Sequence, residues 1–183
     1  MEMLGNLKVF FLTFFLFLSG ATATGSNFYQ FTVRDIDAKN VEMIYDSIRA
    51  GDRVHLVFNS HGGKVSIADQ LVQAIQDNPN VTGEVVTCLS ACTFIAASVG
   101  RENLRVNEFS TFGVHHPYLV NIFGGITPAN DTYMIDLIYN AFKAGGFDAD
   151  FLLGATISTP PQRMRFLTHN EMRKAGFIFE DEE

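Results

Sequence analysis

Three short segments carry residue types that can do acyl chemistry: "NSHGG" (59–63), "CLSAC" (88–92) and "FGVHHP" (112–117). Ser90 follows the apolar stretch "EVVT" and precedes the small-residue run "ACTFIAASVG". That places it between a strand and the start of a helix. A helix start offers unbonded N–H groups and a field that favours a developing anion. A serine hydroxyl is a weak nucleophile and needs a base. His115 stands at the end of the next strand-like segment, with His116 beside it. Gly62 and Gly63 end the run "VHLVF". Without a Cβ they let the backbone come close to a neighbour and present an N–H to it. The expectation is a serine nucleophile with a histidine base and a glycine-turn oxyanion hole. Taken singly, each feature has a plainer reading: an N-cap serine, a structural histidine, a tight turn.

The elements that must position these groups alternate in type. Strands are predicted at 28–35, 54–58 and 84–87. "AKNVEMIYDSIRAGD" (38–52) has Val41, Ile44, Tyr45 and Ile48 at helical spacing. "KVSIADQLVQAIQ" repeats the pattern until "NPN" breaks it. Residues 88–100 read as a buried helix, and "LRVNEFSTFGVHHP" as strand, turn and strand. A longer amphipathic helix is predicted over 127–146. Thr168 and Glu171 form a capping-box pattern ahead of a last helix closed by Gly176, with a short strand at 177–179. The apolar run 54–58 suits a parallel sheet buried on both faces. Alternating strands and helices define an α/β domain with a largely parallel sheet, whose ligands sit beyond the carboxyl ends of the strands.

The chain has 183 residues, 47% of them apolar, and a formal charge of −7. One domain with a real core fits that length. No basic stripe exists to attract nucleic acid or an anionic membrane. Residues 1–23 read as a signal peptide: Lys8, an apolar block from Val9 to Leu18, then Ala21-Thr22-Ala23. The expected location is therefore periplasmic or secreted, with a retained membrane anchor as the alternative. Cys88 and Cys92 are the only cysteines. Export favours a disulfide between them, but two residues one helical turn apart on one helix are poorly placed for it. The bridge requires the helix to begin between them; otherwise they are two buried thiols.

The four segments "VHLVFNSHGGKVSIADQLVQAI", "CLSACTFIAASVG", "FGVHHP" and "RFLTHNEMRKAGFI" together resemble the Clp protease proteolytic-subunit family of the Clp/crotonase superfamily, and its exported branch in particular. The resemblance covers about residues 54–180. It implies a repeated β-β-α spiral, Ser90 as nucleophile and His115 as general base, 25 residues apart. It also implies an oxyanion hole from Gly62, Gly63 and Ala91, a peptide or protein substrate, and a homo-oligomer formed through helix 127–145. Two departures stand out. His61 occupies the usual proline position of the glycine turn. Met164 occupies the position of the acid that orients the histidine, and a thioether cannot do that work. Asn170, Glu171, Asp148 and Asp150 are the candidate replacements.

No metal or other cofactor is expected. The five histidines form no paired helical motif, and His115 and His116 on one strand point to opposite faces. A lysine base at Lys64 has no reason to reach Ser90. A CoA enzyme would need a basic cluster for phosphates. An ATP-driven unfoldase partner is not expected outside the cytoplasm. The main rival is a Clp-like domain that binds peptide without cutting it, and Met164 is its support.

Overall fold

A computed structural model describes residues 26–129 and 131–180. The leader expected at residues 1–23 lies outside them. Strands β1 (Phe28–Val33), β2 (Arg53–Ser60), β3 (Val81–Leu89) and β5 (Thr111–Val114) run parallel in the order β1-β2-β3-β5. Two-residue β4 (Leu104–Arg105) pairs with β3, and β8 (Arg165–Phe166) closes the far edge antiparallel to β5. The crossovers are α1 (Ala38–Arg49), α2 (Val65–Asp77) and α3 (Cys92–Ser98). After β5 come a hairpin, β6 (Tyr118–Val120) and β7 (Ile126–Pro128), then α4 (Thr132–Ala144), α5 (Ala149–Ser158) and, past β8, α6 (His169–Lys174). The fold is α/β, and its sheet is mainly parallel as expected.

The helices cover one face of the sheet. Val54, Leu56 and Phe58 of β2 are buried against them, while Arg53, His55, Val57 and Asn59 are not. The expectation that 54–58 is buried on both faces is therefore corrected. His55 sits in that apolar run because its face is open: its Nδ1 lies 2.9 Å from Thr82 Oγ1. The side chains of α3 are all buried, which is why this run contains so many small residues. It is the central helix, packed between α2, α4 and the sheet.

Other expectations shift at their ends. Strand β3 continues through Cys88 and Leu89, so α3 starts at Cys92 rather than 88. The helix predicted from 127 begins at Thr132, capped by Asp131, because Ile126–Pro128 belongs to the hairpin. The hairpin, α5 and β8 have no counterpart among the elements predicted from sequence. The capping box is present: Glu171 N donates to Thr168 Oγ1 and Thr168 N to Glu171 Oε2. Among the described residues past Gly176 no strand forms; Phe179 makes one isolated bridge to Val106.

Candidate active site

The ends of β2, β3 and β5 converge on one cleft of about 690 Å³. Its lining includes Gly62, Gly63, Ser90, Ala91 and His115, so the structure brings the sequence-predicted residues together. Apolar side chains of Phe94, Leu119, Val120, Met134 and Ile138 complete the walls.

Ser90 joins β3 to α3 with φ of 56°, and no other non-glycine among the described residues has a positive φ. An L-residue avoids that conformation by roughly 1–2 kcal/mol, so the surroundings must hold it. Ser90 N donates to Gly113 O at 2.9 Å, and Thr93 N and Oγ1 both donate back to Ser90 O. Strand and helix are also linked covalently: the disulfide Cys88–Cys92 spans the turn, with Ser90 at its centre. The helix begins after Ser90, which is the geometry that the bridge requires.

The glycine turn lies directly against this elbow. A Cβ on Gly62 would stand 2.7 Å from Ser90 Cβ and 2.9 Å from Leu89 O. A Cβ on Gly63 would collide with Ile36 O. Both glycines have positive φ, 104° and 154°. Their placement comes from a bridge to the β1–α1 loop, in which Ile36 N donates to Gly62 O and Lys64 N to Ile36 O. Ser60 Oγ accepts from Gly62 N at 3.1 Å. The amides of Gly63 and Ala91 donate to no other described residue. Ser60 is a site residue that the sequence analysis misses, although a serine two residues before a glycine is a known turn signal.

His115 is buried in the cleft wall, its ring 5.6 Å from that of Tyr118. Its Nδ1 lies 2.8 Å from His116 O. A carbonyl only accepts, so Nδ1 is the donor, and in the neutral imidazole that leaves the lone pair on Nε2. The carbonyl is itself held in place: His116 N donates to Thr159 O and Ala129 N to Pro117 O, each at 2.8 Å. The His116 ring turns to Pro117 O. His116 stands out in the sequence for its imidazole, but the group that faces His115 is its main chain, which residue type does not reveal.

Met164 packs on β5. Its Cγ and Sδ lie 3.0 Å from where a Cβ on Gly113 would stand. The β5–β8 register pairs Gly113 with Phe166 and Val114 with Arg165, and Met164 and His115 lie just beyond its end. None of the four candidate acids or amides hydrogen-bonds His115. Glu171 is engaged by Arg165 and Thr168, which hold its carboxyl below the usual range, the Thr168 N–H contributing most. Asp148 caps α5. Ser90 and His115 share the cleft without a hydrogen bond between them, a separation that often closes only when substrate binds.

Among the described residues no cluster of histidine, cysteine and carboxylate could hold a metal ion. His61 and Lys64 line the exposed mouth of the cleft.

No protein-family model matches the chain, and no curated protein matches it. Solved structures do. The 1510-N membrane-bound stomatin-specific protease, as a serine-to-alanine mutant, superposes with a TM-score of 0.63 at 19% identity, over 84% of this chain and 78% of that one. A lysine-to-alanine mutant of the same protease, in complex with a substrate peptide, gives 0.64 at 20%, over 84% and 74%. ClpP1 from Listeria monocytogenes gives 0.59 at 19%, over 80% and 86%. At these identities the likeness establishes the class of fold, Clp-type α/β.

Proposed function

We propose that this protein is a Clp-like serine hydrolase that cleaves peptides. One observation carries the reading: the described chain's single non-glycine residue with positive φ is a serine, in a cleft shared with a histidine of defined tautomer. The peptide substrate class is supported by the similarity to proteases, one of them in complex with a substrate peptide.

In this mechanism Ser90 Oγ attacks the scissile carbonyl. His115 Nε2 takes the hydroxyl proton and later gives it to the leaving amine. The Gly63 and Ala91 amides hold the oxyanion, while Ser60 and Gly62 set the position of the turn. The His116 carbonyl fixes the imidazole tautomer and accepts from the imidazolium, as a carboxylate would, but without full negative charge. Hydrolysis is therefore slower than with a complete triad, in which losing the acid's charge costs about ten-thousandfold. The leader read from the sequence supports an activity outside the cytoplasm, with neither cofactor nor unfoldase.

Labelling with a fluorophosphonate tests this. The protein is expected to label at Ser90, and Ser90→Ala and His115→Ala to lose the label while keeping the wild-type circular dichroism. A folded wild type that never labels would falsify it. That outcome would favour peptide binding without cleavage, for which the missing carboxylate at Met164 speaks.

A further inference from the structure

We infer that the Cys88–Cys92 disulfide is a positioning element of the proposed active site, making Ser90 reactive only in the oxidised protein; this rests on the hydrolase reading above. The bridge closes a ring of five residues, Cys88-Leu89-Ser90-Ala91-Cys92. That ring contains both the nucleophile and the Ala91 amide assigned to the oxyanion. One anchor, Cys88, is a strand residue paired with Ser60 on one side and Phe112 on the other. The other, Cys92, is the first residue of α3. Both are fully buried.

The turn inside the ring needs such a hold. Ser90 occupies a left-handed conformation without being glycine or having a capping role. Its backbone restraints within the turn are Ser90 N to Gly113 O and the bonds from Thr93 to Ser90 O. None of these acts on Ala91 N, and Gly62 leaves Ser90 Cβ its room only by lacking a Cβ, which would stand 2.7 Å from it. With the bridge open, φ of Ser90 can relax toward negative values. That swings Oγ and the Ala91 N–H away from each other's common target, although strand and helix remain packed. Opening is a two-electron reduction: dithiothreitol gives two electrons and two protons, the Sγ–Sγ bond breaks into two thiols, and dithiothreitol becomes its cyclic disulfide. A cell that makes this chain in a reducing compartment would thus hold it inactive until export and oxidation.

The test compares oxidised protein with Cys88→Ala/Cys92→Ala and with wild type reduced by dithiothreitol, its thiol content verified by alkylation and mass. Fluorophosphonate labelling is resolved into a maximal rate and a binding constant, and amide hydrogen exchange is followed at Ser90 and, as a control, at Leu56. Loss of the bridge is expected to lower the maximal rate at least tenfold with the binding constant unchanged. It should speed exchange at Ser90 at least tenfold while leaving Leu56 unaltered, and reoxidation of the reduced wild type should restore both. A uniform rise in exchange at both amides would mark a merely structural bridge and overturn the inference, as would unchanged labelling and exchange without the bridge. If the oxidised wild type does not label at all, the hydrolase reading fails. Exchange at Ser90 then still decides whether the bridge holds the turn.

Discussion

Ser90, Gly62 and His115 each sit in a conformation or contact that a neighbour imposes. Gly62 is the most constrained, since a methyl group there would meet Ser90 Cβ at 2.7 Å on a backbone with φ of 104°. Gly62→Ala is expected to destabilise by roughly 2–4 kcal/mol, combining the left-handed penalty with overpacking. Fluorophosphonate labelling should fall with it; calorimetry and labelling on one sample measure both. Met164 gives the opposite opportunity. It holds the position where the resemblance implies the orienting acid, and its side chain packs at Gly113, two residues from His115, so Met164→Asp is designed to bring a carboxylate to the imidazole. Labelling by that variant is expected to rise about tenfold or more, because a full charge stabilises the imidazolium better than the His116 carbonyl dipole does. A flat or lower rate in the folded variant would mean that the carbonyl cannot be displaced as Nδ1's partner. The serine, histidine and glycines are legible from residue type and spacing. The His116 carbonyl is not, because every residue carries one and only the chain path decides which faces the ring.

At the scale of elements, the site depends on strands that end in step and on helices that begin where they should. A register shift between Phe58 and Asn59 leaves Val86 of β3 without a partner on β2, yet brings Ser60 level with Cys88. The last helix, α6, is held by its capping box and by Arg165 Nη2 on Glu171 Oε1 at 2.6 Å. That contact also ties α6 to β8, the strand next to β5, which ends one residue before His115. Hydrogen bonds from Thr168 N and Arg165 hold the Glu171 carboxyl below its ordinary value. A depressed carboxyl stabilises the fold above the unfolded value, about 4.3, and loses that contribution as pH falls through the folded value. Wild type is therefore expected to melt above Glu171→Gln at pH 7, with the gap narrowing toward pH 3. Thermal melts of the pair at both pH values check the sign. The capping box is readable in sequence because it is local, with four residues satisfying one another. The start of α3 is not, because the apolar run 88–100 has no periodicity to mark where strand becomes helix.

Over the whole molecule, the parallel sheet carries helices on one face and leaves the other partly open, while a hairpin projects beside the cleft. At its tip Ile122 and Phe123 are 93% and 90% exposed. They touch no core, so Ile122→Ser with Phe123→Ser is expected to change stability by less than about 0.5 kcal/mol. If an oligomer forms, as the resemblance implies, sedimentation of that double variant against wild type reports whether this apolar tip takes part. A marked drop in melting temperature would instead mean that the hairpin belongs to the folded core.

What the sequence determined by itself was local or periodic: the α/β alternation, most helices, the capping box, and a serine, a histidine and a glycine pair at strand ends. Strand ends on one edge of a parallel sheet must converge, so the alternation already implied that these groups could meet. Tertiary structure decided what depends on contacts far apart in the chain. It set which face of the sheet is covered, where α3 begins and the left-handed turn at Ser90. It also left Gly63 and Ala91 as the unbonded amides and put a backbone carbonyl, in place of a carboxylate, against His115. Those outcomes follow from hydrogen-bond satisfaction and packing in three dimensions, and no short window of residues encodes them.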